Sequence, residues 1–220
     1  MFKSFLSFIA SLIFPSEQLV VVVSEDLNAT TARLQRYEKQ EQWEKIGTPV
    51  VVTLGRNGMG FSSGKEPLKF EGDGRTPSGV FPITASFGYG PVPNSALPYL
   101  HADEKLICVD DTEDERYNRI ISNEGPAPKS FEWMRRDDEV YRHGAVIGYN
   151  TDHVKGRGSC IFLHLNHSDN HPTSGCTAMD EAALVELLGW LDPEKKPQIL
   201  QMPKSECEEY KKEFEGIECE

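Results

Sequence analysis

The chain has 220 residues, a net charge of -12 and a sequence pI near 5.0. That length suits one domain with a sizeable core, alone or with appendages. The charge argues against nucleic acid or an anionic membrane surface as a partner. The acidity is concentrated: residues 102–115 carry seven Asp/Glu against Lys105, and residues 204–220 carry seven Glu against three Lys. Both stretches read as solvated surface, and 204–220 as a solvated helical tail.

Met1 to Phe14 holds one Lys and then an apolar run from Phe5. The run is shorter than the roughly 20 residues a membrane span needs, but it has the length of a signal-peptide core. Residues 1–16 are therefore expected to be an export signal, with a short anchor or a buried segment as alternatives. Leu19–Val23 is β-branched and reads as a strand. Ala29–Trp43 is mixed: Thr30 and Thr31 are placed to cap a helix, while Leu34, Tyr37 and Trp43 suit a strand and its turn. Pro49–Leu54 reads as a strand running into the glycine cluster 55–60. That cluster matches neither a dinucleotide nor a phosphate-loop motif and is taken as a turn.

Gly72–Phe81 is a tight turn entering a strand. Pro82–Pro98, rich in Pro, Gly and aromatics, is expected to form a covering loop. Leu106–Val109 is a short strand, and order resumes at Tyr117–Ile121. Glu132–Tyr141 is charged and reads as a short helix or an extended arm. Ala145–Asn150 is a strand expected to pair with Ile161–Leu165 across the glycine loop 156–158. Alternation puts Ile161, Leu163 and Leu165 on one face of that second strand, with Phe162 and His164 on the other. Asp180 can cap a helix whose apolar stripe is Ala183, Leu184, Leu187, Leu188 and Leu191. Ile199 and Leu200 close the list of strands. Many short strands and one principal helix after Cys176 describe a mainly β sandwich or barrel.

The chemistry points to His164 and Thr173–Cys176. A strand fixes the direction of His164, and Gly175 frees the backbone beside Cys176, so that main-chain N–H groups of Gly175 and Cys176 can meet a developing oxyanion. A positioned base next to a thiol is what cysteine nucleophilic catalysis requires. The five cysteines leave one unpaired in an oxidising compartment, with Cys176 the choice for the free thiol. Cys207 and Cys219 can pair locally, though all five thiols reduced is equally open. Cys160 shares a strand face with His164 but lies about 13 Å away at about 3.3 Å per residue, too far to serve. A rival reading assigns His164, His167, His171, Asp169 and Cys176 to zinc. Their spacing matches no common zinc signature, so no metal and no cofactor is expected. The histidine precedes the cysteine by 12 positions, which disfavours a papain-like protease.

Several motifs taken together resemble the L,D-transpeptidase (YkuD-type) family of bacterial cell-wall enzymes. They are Gly72-Asp73-Gly74-x-Thr76-Pro77-x-Gly79-x-Phe81, Tyr117-Asn118-Arg119, Arg136-Asp137-Asp138-x-x-Tyr141, Val146–Asn150, Gly158-Ser159-x-Ile161–His164 and Thr173-x-Gly175-Cys176, in the family's order. The resemblance covers roughly Leu19 to Met202, so a catalytic domain is expected over 19–203. It implies a β-sandwich with Cys176 as nucleophile and His164 as base. It also implies peptidoglycan stem peptides as substrate, crosslinked or trimmed in the bacterial envelope, most naturally the periplasm. Ser174 stands where the commonest form of the family has a second His, and Ala178 where it has Arg or Asn. The donor carboxylate is therefore assigned to Arg136 and Arg119, and Ser174 and Tyr149 are added as substrate-binding residues. The readings from other classes are a zinc hydrolase built on the histidine loop and a non-catalytic peptidoglycan-binding module.

Overall fold

The computed structural model describes residues 15–91, 94–167, 169 and 171–219. The expected export signal lies almost wholly outside the described residues. The strands in chain order are β1 (Gln18–Ser24), β2 (Thr31–Lys39), β3 (Trp43–Thr53), β4 (Met59–Phe61), β5 (Thr76–Gly88), β6 (Tyr99–His101), β7 (Leu106–Val109), β8 (Ile120–Ser122), β9 (Phe131–Trp133), β10 (His143–Ile147), β11 (Phe162–Leu165), β12 (Thr177–Met179) and β13 (Gln198–Pro203). The helices are α1 (Glu181–Trp190) and the short α2 (Cys207–Tyr210). The fold is mainly β, as the sequence predicts.

The large sheet runs β10-β11-β12-β3-β2-β1-β13-β5, and β5 pairs back onto β10, so these strands close on themselves. β1 shows why. Its β-branched run is buried along its whole length. Val20 and Val22 join the main core with Leu34, Leu54, Phe81, Leu163 and Ile199. Leu19, Val21 and Val23 face the opposite way, into a second cluster with Tyr37, Trp43 and Met202. A strand buried on both faces reads as a continuous apolar run rather than an alternation. α1 adds Leu184, Leu187 and Leu188 to the main core and packs against β10 and β11. Asp180 sits at its N-cap position, but its side chain makes no cap hydrogen bond and accepts from Asn166 Nδ2 instead.

One open alternative is decided, and two expectations change. The segment around Thr30–Thr31 begins a strand, because every second residue of β2 has a partner face to bury. The loop expected over 82–98 is much shorter, since β5 continues through Pro82 to Gly88. β5 tolerates Pro82 because its backbone faces Gly148, just past the last β10 pair Ile147–Ile83, so the missing N–H lies beyond the end of that ladder. The tail is not a solvated helix. Cys207, Phe214 and Ile217 are buried against Tyr37 and Trp43, and Cys207 is disulfide-bonded to Cys219. Apolar residues spaced among the tail's glutamates bury one side, while Glu208, Glu209, Glu213, Glu215 and Glu218 stay wet.

A small sheet, β8-β7-β9, stands beside β11. Cys108 of β7 is disulfide-bonded to Cys160, which precedes β11, and Cys108 lies opposite Glu132 of β9. This joins Glu132–Tyr141, which is neither helix nor free arm, to the face of β11 that carries His164.

Candidate active site

β11 and β12 run parallel, with His164 opposite Ala178 and Leu163 opposite Thr177. Alternation then puts Phe162, His164, Cys176 and Ala178 on one side of this pair. The turn that delivers Cys176 is fastened at three places. Thr173 Oγ1 donates to Cys176 O at 2.7 Å and accepts from Gly175 N at 3.1 Å. The Thr173 backbone pairs with the end of β3, through Thr173 N to Leu54 O and Arg56 N to Thr173 O. Thr76 Oγ1 reaches Cys176 O at 3.3 Å. Gly175 has φ +145°, and a Cβ there would lie 2.9 Å from Arg75 O. Only glycine fits that backbone without strain.

The thiol of Cys176 is free and buried. Its Sγ accepts from Phe162 N–H at 3.4 Å and donates to Cys160 O at 3.4 Å. Burial pushes its pKa up to about 12, the Glu132 carboxyl adds to the push, and hydrogen bonds from Phe162 N–H and Tyr141 oppose it. His164 Nδ1 lies 2.8 Å from Leu165 O. A carbonyl only accepts, so Nδ1 carries the proton and Nε2 keeps a lone pair. Burial lowers the His164 pKa to about 4. At neutral pH the resting pair is thus a thiol and a neutral imidazole. An imidazolium that lowers the thiol pKa is not present at rest, because burial disfavours both charges.

A cleft of about 140 Å³ is lined by Cys176, His164, Tyr141, Glu132, Arg136 and Ser174, among others. That is below the roughly 300–1,000 Å³ of a site enclosing a drug-sized ligand. That is room for the reacting end of a longer molecule rather than for the whole of one.

Of the residues expected from sequence, Cys176, His164, Ser174 and Arg136 line this cleft. Ser174 is exposed at its mouth and accepts from Arg56 Nη1 at 3.0 Å. Arg136 stacks over the Tyr141 ring at 5.2 Å and is held bidentately by Asp138. Arg119 and Tyr149 are not brought there. Arg119 is exposed on the loop before β8, and Tyr149 is buried behind Arg157, with its hydroxyl on Arg157 O at 2.5 Å. Cys160 is bound in its disulfide. His167, Asp169 and His171 gather with ligand atoms within 4.8 Å of one another, both rings hydrogen-bonded to Asp169 Oδ1. His164 and Cys176 are not in that group.

Sequence reasoning missed Tyr141 and Glu132. The Tyr141 ring packs edge-on against His164 at 5.2 Å and Phe162 at 5.6 Å, and its hydroxyl lies 2.7 Å from Glu132 Oε2. The available signal was the motif Arg136-Asp137-Asp138-x-x-Tyr141, which ends the charged run on an aromatic hydroxyl.

No curated protein matches the chain at a significant level. The model of the L,D-transpeptidase catalytic domain (YkuD) matches residues 20–199, most of the length described above, including the strand of His164 and the turn of Cys176. The chain therefore belongs to the L,D-transpeptidase catalytic domain family of peptidoglycan enzymes.

Proposed function

We propose that the protein is a cysteine acyltransferase acting on peptidoglycan stem peptides. The observation that carries this reading is a free thiol and a strand-held imidazole with an available Nε2 lining one cleft. The thiol of Cys176 attacks the carbonyl between the third stem residue and terminal D-alanine while His164 Nε2 takes its proton. The imidazolium then returns that proton to the departing amine, so D-alanine leaves and a thioester remains. An amine from a second stem resolves the thioester as a crosslink, or water resolves it as trimming. Because the resting thiol is protonated, proton transfer accompanies attack rather than preceding it.

The oxyanion falls to the Cys176 N–H and the Tyr141 hydroxyl, since the Gly175 N–H is already held by Thr173 Oγ1. One such donor is worth about 3–4 kcal/mol. Arg136 at the mouth is the candidate for the D-alanine carboxylate, which would displace Asp138 from its guanidinium. Two disulfides support work in an oxidising envelope compartment, the periplasm in the simplest case.

Mass spectrometry of muropeptides incubated with the protein tests this directly. Crosslinked dimers or tripeptides with free D-alanine are expected, and none with Cys176→Ala. Unchanged muropeptides from folded parent protein would leave a binding module. Activity retained by Cys176→Ala but lost on metal chelation would move the chemistry to the histidine loop.

A further inference from the structure

The Tyr141 hydroxyl faces two groups at once. Its oxygen lies 2.7 Å from Glu132 Oε2, and it lines the same cleft as the Cys176 thiol, which a hydrogen bond from the phenol favours as thiolate. A phenol carries one proton and cannot donate to both. If Glu132 is a carboxylate it only accepts, so the phenol proton must point at it. Tyr141 then shows the sulfur only lone pairs, and a negative charge faces the group that must itself become negative. If Glu132 is protonated, the carboxyl donates to the Tyr141 oxygen. The phenol proton is then free to turn to the sulfur or to the carbonyl oxygen of a bound acyl group.

The surroundings favour the second arrangement. Desolvation raises the Glu132 pKa, Asp110 and Glu71 push the same way, and Arg136 and the Tyr141 hydrogen bond oppose them. The Arg136 guanidinium is committed to Asp138. On the thiol side the facing charged groups are Glu132 and Lys69, and Lys69 is paired with Asp73 at 2.7 Å. The frame is rigid: Glu132 lies opposite Cys108, Cys108 is bonded to Cys160, and the Cys160 carbonyl accepts the thiol. A carboxylic acid kept neutral so that a hydrogen-bond chain can serve an oxyanion is an established device in other enzymes.

We propose that Glu132 is a positioning residue that keeps its proton through the cycle and thereby turns the Tyr141 hydroxyl toward Cys176 and the reacting carbonyl oxygen. This rests on Cys176 being the nucleophile.

The test measures iodoacetamide alkylation of Cys176 from pH 6 to 10 in the parent, Glu132→Gln and Glu132→Ala, with Cys176→Ala as blank. D-alanine release from a tetrapeptide stem is followed in parallel. Glutamine donates to Tyr141 as the protonated acid does but cannot ionise. Glu132→Ala should lower release by about a hundredfold, the scale of one lost oxyanion donor. Glu132→Gln should rescue most of that loss. Its alkylation should follow the parent at the acid end and run ahead at the alkaline end, about tenfold for each unit by which ionised Glu132 had raised the thiol. Glu132→Gln running ahead of the parent already at pH 6 to 7 would overturn the proposal, because Glu132 would then be ionised where the enzyme works. So would folded Glu132→Gln failing as badly as Glu132→Ala, which would make the carboxylate charge the working form. Release that survives Cys176→Ala would instead sink the nucleophile assignment, while the alkylation profiles still report whether Glu132 acts on the thiol.

Discussion

Replacing both Cys108 and Cys160 by alanine should destabilise the protein and loosen the thiol together. The disulfide spans a sequence separation of 52. In the chain-entropy model a loop of that size, held closed in the unfolded chain, contributes about 4 kcal/mol at 25 °C. The double substitution is the right perturbation, because either single one leaves a thiol able to mispair with Cys176. Urea unfolding without reductant should show a lower midpoint and a free energy reduced by about 3–4 kcal/mol. The site effect follows from position. The Cys160 carbonyl accepts the Cys176 thiol, and Cys160 holds φ +54° beside the disulfide. Released from β7, that carbonyl can swing away and free the S–H, so iodoacetamide should label Cys176 faster at pH 7. A stability loss under about 1 kcal/mol would refute the entropic argument. Unchanged labelling would refute the claim that the disulfide holds the carbonyl.

His164 has its pKa lowered from 6.5 to about 4, so the unfolded chain binds the extra proton first as pH falls. Its contribution is complete above pH 6.5 and lost toward pH 4, about 3 kcal/mol in all, and His164→Gln should flatten that part of the stability–pH curve. Gly175→Ala forces a Cβ to 2.9 Å from Arg75 O at φ +145°, for a cost of about 1–3 kcal/mol and a larger loss of turnover, read by thermal melts and D-alanine release. Phe214→Ala empties a buried position beside Trp43 and should cost about 3–5 kcal/mol, so truncation after Pro203 should destabilise rather than be tolerated. Arg136→Ala should raise KM for tetrapeptide more than it lowers kcat if it holds the donor carboxylate, and equal loss in both would argue against that role.

Much of the frame was legible because burial leaves a periodic mark. The unbroken run Leu19–Val23 is a central strand, and alternation placed His164 opposite the core face of β11. The Thr-x-Gly-Cys turn was legible through its glycine. What escaped depends on contacts far apart in sequence. Nothing local says that the proline at 82 lies within a strand, or that Phe214 and Ile217 find a wall made by Tyr37 and Trp43. Tyr141 and Glu132 lie in a charged run, and only the disulfide and the β7–β9 pairing bring that run beside the thiol. Arg119 and Tyr149 were carried by motif alone, and the fold sends both elsewhere. The raised pKa of the thiol escaped as well, because sequence shows which groups are neighbours but not how dry they are.

β1 pairs with the adjacent hairpin strand β2 on one side and with β13 on the other, Leu19 opposite Gln198. During synthesis β1 must wait until β13, far along the chain, has been made before its second edge is filled. Until then the β13 side of β1 has backbone N–H and C=O groups with no ladder beside them, the kind of edge that recruits wrong partners. Closing a contact over that span comes late and slowly. The ring that shelters the thiol is therefore closed only once β13 has been made and seated between β1 and β5.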